Sequence, residues 1–256
     1  MKTIGLLIFA LMLICTGYAQ EYKTKFPGGS KGTLQVITDR TNLTVEGYNG
    51  DELIIVSEGR TPIPDRAKGL KSLYQGGSDN TGVGVEVTVT GTTVEVKKAV
   101  ASDLKLKIRV PKQATVSITE TNWQGSQINI QDVEGAIEVK SNNSNVMINN
   151  ARTVVAKSIS GNIEVIFSSL HPELPSAITN TSGEIDVTLP PDSKVLLKTK
   201  SINGDIFTDF DVAVRADKEN LQRIGGGNKV EGTINGGGTE LRLETISSNI
   251  YLRKKK

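Results

Sequence analysis

Apolar residues along most of this chain recur at every second position, in short runs parted by polar turns. Leu34 and Val36 open the pattern, then Leu43 and Val45, then Leu53-Ile-Ile-Val56, with Asp39-Arg40 and Gly47-Tyr-Asn-Gly50-Asp51 between them. A period of two predicts β-strands with one buried face, and Gly, Asn and Asp mark the turns. Val85, Val87 and Val89 continue it, followed after Gly91-Thr92 by Val94 and Val96. Leu104, Leu106, Ile108 and Val110 alternate with Lys105, Lys107 and Arg109, so four apolar side chains share one face and three cations the other. Further on, strand starts fall at Ile137, Val146, Val154 and Ile163, spaced 9, 8 and 9. Two such strands with their turns make a coil of 17 or 18 residues.

One turn phrase recurs within this pattern. It reads Ser158-Ile-Ser-Gly161-Asn162-Ile163, then Asn180-Thr-Ser-Gly183-Glu184-Ile185, then Ser201-Ile-Asn-Gly204-Asp205-Ile206. Its glycines lie 22 and 21 residues apart, a period at which each unit buries its apolar face against the next. Gly161, Gly183 and Gly204 are the structural turn residues, expected to take positive φ. Thr245-Ile-Ser-Ser248-Asn249 repeats the phrase with Ser for Gly, so its turn is expected to differ in shape. A longer echo matches Val110-Pro-Lys-Gln-Ala-Thr-Val116 to Leu189-Pro-Pro-Asp-Ser-Lys-Val195 at an offset of 79. Gly125 and Gly204 keep that offset, with Pro placed where strand pairing ends.

The expected fold is all-β, a right-handed parallel β-helix or β-solenoid forming a single domain over residues 21–256. An antiparallel β-sandwich is the alternative, because alternation alone does not fix strand direction. Irregular insertions are expected near 60–82 and 211–230. The first holds a turn or two of helix from Asp65 to Tyr74 and serves as a cap; the second holds a helical turn from Ala216 to Gln222.

Residues 1–20 read as a signal peptide: Lys2 precedes an apolar run from Ile4 to Ile14, and Gly17-Tyr18-Ala19 has the small-x-small form of a cleavage site. The expected location is therefore extracytoplasmic: periplasm, outer surface or medium. No later apolar run is long enough to span a membrane. Cys15, the only cysteine, falls inside the apolar run; Ile14 before it is bulky where a lipoprotein signal wants a small residue. Thirty basic against 28 acidic residues leave little excess charge, which argues against general nucleic-acid binding. The Arg253-Lys-Lys-Lys256 tail reads as a frayed, solvated end, with an anionic-surface anchor as the other reading.

These phrases, with Leu-x-Ile-x-Val-Pro111, Ile-x-Val-x-Leu-Pro190 and the closing Gly236-Gly-Gly-Thr-Glu-Leu-Arg-Leu-x-Thr245, resemble the bacterial β-strand-repeat "putative adhesin" family. The resemblance covers roughly residues 30 to 254 and implies a β-helical head domain. It offers no catalytic residues to carry over.

Candidate chemistry is sparse. His171, the only histidine, lies in Leu-His-Pro-Glu-Leu-Pro and reads as an exposed loop residue. Trp123, the only tryptophan, reads as a local cover over the core. Gly225-Gly-Gly227 and Gly236-Gly-Gly238 lack the lysine and helix of a phosphate loop. Asp205, Asp209 and Asp211 have even spacing and would share a face of a continuous strand, with Glu184 and Asp186 one coil away. Paired carboxylates there could serve acid–base chemistry or hold calcium. The expectation is nevertheless a non-enzymatic, adhesin-like surface protein, with no catalytic, cofactor or metal residues and no cofactor. It presents a regular β face to a glycan, cell-wall polymer or protein partner. A polysaccharide lyase or hydrolase on the same fold is the alternative.

Overall fold

The structure is a computed structural model that describes residues 20–58, 65–67, 70, 77–214 and 228–256. The expected signal segment as far as residue 19, with Cys15, the helical turn expected at Ala216–Gln222 and most of the first insertion lie outside the described residues. Of the helix expected from Asp65, a 3-10 turn at Asp65–Ala67 is described.

Alternation turns into strands almost everywhere it occurs. The first part of the chain supplies β1 (Gln20–Lys25), β2 (Thr33–Thr38), β3 (Thr41–Tyr48), β4 (Glu52–Glu58), β5 (Val85–Thr90), β6 (Thr93–Lys98) and β7 (Leu104–Pro111). Next come β8 (Thr115–Glu120), β9 (Gln127–Gln131), β10 (Ala136–Ser141), β11 (Asn145–Ala151), β12 (Thr153–Ser158) and β13 (Ile163–Phe167). The remainder gives β14 (Ser176–Asn180), β15 (Ile185–Leu189), β16 (Val195–Ser201) and β17 (Ile206–Thr208). It closes with β18 (Ala213–Val214), β19 (Asn228–Ile234), β20 (Thr239–Thr245) and β21 (Ile250–Lys254).

These strands form two sheets. Sheet A has the order β1-β4-β7-β3-β9-β11-β13-β15-β21-β17, and sheet B the order β18-β19-β16-β20-β14-β12-β10-β8-β2-β6-β5. Successive strands cross from one sheet to the other and return one coil later in the same direction, so the body of both sheets is parallel. Among the described residues, antiparallel pairs occur only at the ends, where β4 and β1 extend sheet A, and β5, β19 and β18 extend sheet B. The fold is a β-solenoid and not a sandwich. Its core is the row of inward residues between the sheets; Leu34, Leu43, Ile118, Ile130, Ile148, Ile178, Val187 and Leu243 are fully buried.

The coil length read from the sequence holds in the middle of the chain. Ile137 pairs with Val154 and Val146 with Ile163, and the next coil lengthens so that Ile163 pairs with Ile185. Sequence order then departs from spatial order. Ile185 pairs with Ile250, and Ile250 in turn with Ile206, so the β20–β21 coil lies between the second and third turn phrases. The same happens at the other end, where β2 and β3 lie between the β6–β7 coil and the β8–β9 coil. The 79-residue echo is the mark of this device. Both Pro corners step over one coil: β7 to β8 across β2–β3, and β15 to β16 across β20–β21. The corners share one turn, with the Ala114 N–H donating to the Pro111 carbonyl at 2.9 Å and Ser193 to Pro190 at 3.1 Å.

The turn glycines correct one expectation. Only Gly161 of the three has positive φ, +87°. At Gly183 the reason for glycine is close approach: a Cβ there would sit 1.9 Å from the Gly161 carbonyl oxygen. At Gly204 it would sit 2.0 Å from the oxygen of Ser248. Turns of adjacent coils are stacked backbone on backbone, and a side chain pointing along the stack has no room. Ser248 is part of that stack with ordinary φ, its carbonyl accepting the Ser201 hydroxyl at 3.0 Å.

A buried carboxylate organises one corner. Glu120 ends β8 at 4% exposure and reaches the turn of the next coil. It accepts hydrogen bonds from the Ser141 hydroxyl (2.7 Å), the Asn142 N–H (2.9 Å), the Asn143 N–H (3.2 Å) and the Ser144 hydroxyl.

Candidate functional site

Parallel register turns each outward position of a coil into one place in a row running across the sheet. On the outer face of sheet A one row carries Asp186 of β15, Tyr251 of β21 and Phe207 of β17. The Phe207 and Tyr251 rings stack with centroids 5.4 Å apart and planes 14° apart. Phe207 is 48% exposed although it is a large apolar residue. Its strand pairs with β21 alone among the described residues, so one ring face meets Tyr251 and the other meets no strand.

Polar groups fix this pair from behind. Arg253 forks onto Asp186, with Nε 2.9 and 3.0 Å from the two carboxylate oxygens and Nη2 2.9 Å from one of them. Its guanidinium also lies 5.1 Å from the Tyr251 ring centre. The hydrogen bond to Asp186, and then its negative charge, raise the pKa of Arg253 above the usual value. Asn249 Nδ2 donates to the Tyr251 hydroxyl at 3.1 Å. Beside the rings is an open cleft of about 310 Å³, lined by Phe207, Asp209, Tyr251, Arg253, Lys254 and Lys256 among others. Phe210, buried at the end of the core, carries the Lys254 ammonium 5.3 Å from its ring centre.

The basic tail is therefore not a frayed end. Arg253 and Lys254 belong to β21, the Lys254 N–H donates to Asp209 Oδ1 at 2.8 Å, and the Lys255 N–H donates to the Leu189 carbonyl at 2.8 Å.

Of the sequence-predicted acids, Glu184, Asp186, Asp205 and Asp209 all come to this end of sheet A, but they do not converge. Asp186 is taken up by Arg253, Asp209 by the Lys254 N–H, and Asp205 Oδ1 receives Asn228 Nδ2 at 3.3 Å. Glu184 accepts only a long contact, 3.4 Å, from the Tyr251 hydroxyl. The strand ends at Thr208, so Asp211 leaves the row that continuous spacing implied. Among the described residues no three His, Cys, Asp or Glu side chains are placed to hold a metal.

Two single residues also differ from expectation. Trp123 is 61% exposed and covers no core; its carbonyl accepts Asn143 Nδ2 at 3.0 Å. His171 is half-buried and structural, its Nδ1 accepting the N–H groups of Glu173 and Leu174 at 3.2 Å each. The nearby cleft of about 460 Å³ at the Pro190 corner is lined by Ser168, Ser169, Asp192, Lys194 and Thr239 and has no aromatic ring.

The cationic row of β7 is already engaged. Lys105 pairs with Glu58, Lys107 with Glu46 at 2.7 Å, and Arg109 lies 4.5 Å from the Tyr48 ring centre. Between that end and the aromatic pair, the face of sheet A carries amides on two strands, Gln127, Asn129 and Gln131 on β9 and Asn145 and Asn149 on β11, followed by Glu164 and Ile166 on β13 and Asp186 and Thr188 on β15.

Sequence reasoning passed over Phe207 and Tyr251. A signal existed: each follows its turn phrase at the offset where Glu164 and Asp186 follow theirs. Aligning the phrases alone places all four in one row.

Comparison with known proteins agrees with this architecture. The family described as Toastrack DUF4097 matches residues 20–253. The crystal structure of a "putative cell adhesion protein" from Clostridium sporogenes superposes with a TM-score of 0.51 at 11% identity, covering 93% of this chain and 100% of that one. A "putative adhesin" from Bacteroides fragilis gives a TM-score of 0.40 at 9% identity, over 93% and 97% of the two chains. A "putative lipid binding protein" from Parabacteroides distasonis gives 0.35 at 11% identity, over 94% and 98%. No curated protein matches the chain.

Proposed function

Because this chain belongs to the Toastrack DUF4097 family, whose β-solenoid leaves a long regular face open, we propose that it is an exported, non-enzymatic surface protein that holds a glycan along sheet A. Adhesion, the role named for the Clostridium sporogenes relative, is the form of activity such a face serves. The observation that carries the reading is the exposed Phe207–Tyr251 pair at one end of a face that also carries a patch of uncharged amides on β9 and β11. Amides donate to and accept from sugar hydroxyls, and an aromatic face takes the apolar side of a sugar ring. Strands about 4.8 Å apart repeat these groups in step with an extended polymer. Hydrolysis is disfavoured because a glycosidase uses two carboxylates flanking one bond, and the acids here are separately engaged.

The test is binding of the exported protein to neutral and acidic polysaccharides, with product release measured in parallel. Changing Asn129, Gln131 and Asn149 together to Ala should weaken binding severalfold, since contacts spread along such a face. The melting temperature should stay within about 2 °C, because these side chains are outward-facing and only half-buried. Failure to retain any glycan, or product release lost on Asp186→Ala, would overturn the proposal.

A further inference from the structure

Resting on that reading, we infer that the cleft between β17 and β21 takes a carboxylated sugar unit, its ring on the face of Phe207 turned away from Tyr251 and its carboxylate among Arg253, Lys254 and Lys256. The argument starts from charge. The ionisable residues lining the cleft are Asp209 against Arg253, Lys254 and Lys256, apart from Tyr251, which is a phenol. Asp209 already spends one oxygen on the Lys254 N–H, whereas Lys256 is exposed and Arg253 uses only Nε and Nη2 on Asp186. Nη1 of Arg253 therefore points no hydrogen bond at the described protein. A neutral sugar would leave these cations without a partner on the ligand, and a carboxylate gives them one through charge-assisted hydrogen bonds.

The second strand of the argument is shape. Phe207 is the last outward ring of a row that runs Asp186, Tyr251, Phe207, and stacking continues naturally onto its open face. Tyr251 behind it is fixed by Asn249, and Arg253 by Asp186, so the platform is set before ligand arrives and little ordering is lost on binding. An apolar face beside fixed polar groups is the general make-up of a small-molecule site. The amide patch lies farther along the same face, and the cleft selects the acidic unit.

The experiment is calorimetric titration of the exported protein with a uronic acid trisaccharide and with its carboxyl-reduced, neutral counterpart of the same linkage. The acidic trisaccharide is expected to bind at least about tenfold more tightly, a difference of ~1.4 kcal/mol, and to weaken as salt is raised. Phe207→Ala, and separately Lys254→Ala with Lys256→Ala, should each lose about tenfold in acidic-sugar affinity; Phe207→Ala should do so without a shift in melting temperature, because the ring is half in solvent. Equal affinity for the two trisaccharides, with the amide-patch variant still defective, would overturn this inference and leave glycan binding standing. Indifference of acidic-sugar binding to Phe207→Ala would overturn it as well. Failure of both sugars to bind would remove this inference and the glycan reading together.

Discussion

Removing the Glu120 carboxylate should destabilise the solenoid more than any surface substitution. Its oxygens serve two backbone N–H groups and two hydroxyls of the neighbouring coil, at a site with 4% exposure. In Glu120→Ala the hydroxyls of Ser141 and Ser144 can rotate to other acceptors, but the amides of Asn142 and Asn143 are fixed by the turn. A buried donor left without a partner costs about 1–3 kcal/mol. Two such donors, offset by relief of a buried charge, place the loss at ~2–5 kcal/mol. For a chain of this size each kcal/mol moves the melting temperature by about 2–4 °C, so a fall of roughly 5–15 °C is expected. Glu120→Gln keeps one acceptor oxygen and should fall between Ala and wild type. The control is Glu138→Ala, an outward residue paired with Lys140 at 2.8 Å, which should change stability by no more than ~0.5 kcal/mol. Calorimetric melts of the three variants decide the matter. If Glu120→Ala melts with Glu138→Ala, or Gln is worse than Ala, the corner is not held by this carboxylate.

Two further outcomes follow from the turn stack and from one ion-pair cluster. Gly183→Ala and Gly204→Ala should each cost about 1–3 kcal/mol through contact with a carbonyl oxygen, and Ser248→Gly should lose about 0.5–1 kcal/mol because its φ is ordinary; a higher melting temperature for Ser248→Gly would contradict this. Hydrogen bonds from Lys198 at 2.6 Å, and then from Arg242 at 3.0 Å, lower the pKa of Glu240 below its ordinary 4.5. Its stabilisation is thus complete above that ordinary value and is lost as pH falls through the lowered one, a change held below about 1 kcal/mol by solvent screening. Glu240→Gln should flatten that part of the stability-against-pH curve, and an unchanged curve would show that the cluster contributes nothing.

The sequence alone determined the strands, their inward residues and the coil length. Leu104, Leu106, Ile108 and Val110 face inward because alternation leaves a strand no other way to bury its apolar side. Gly161, Gly183 and Gly204 announced stacked turns, since only a repeat places glycine so regularly. Only the tertiary structure decided which coils are neighbours. Both Pro corners step over a coil, and β20–β21, far along the chain, fill the gap between β14–β15 and β16–β17. The turn phrase is nearly the same in four coils, so local sequence carries little information about which of them lies beside which; pairing is settled by burial of the whole stack. For that reason Tyr251 meets Phe207, and Arg253 meets Asp186, across 44 and 67 residues of chain. Likewise Gly183 is required by the oxygen of Gly161 in the next coil and not by its own φ. Contacts between coils, which no local pattern encodes, built the aromatic cleft.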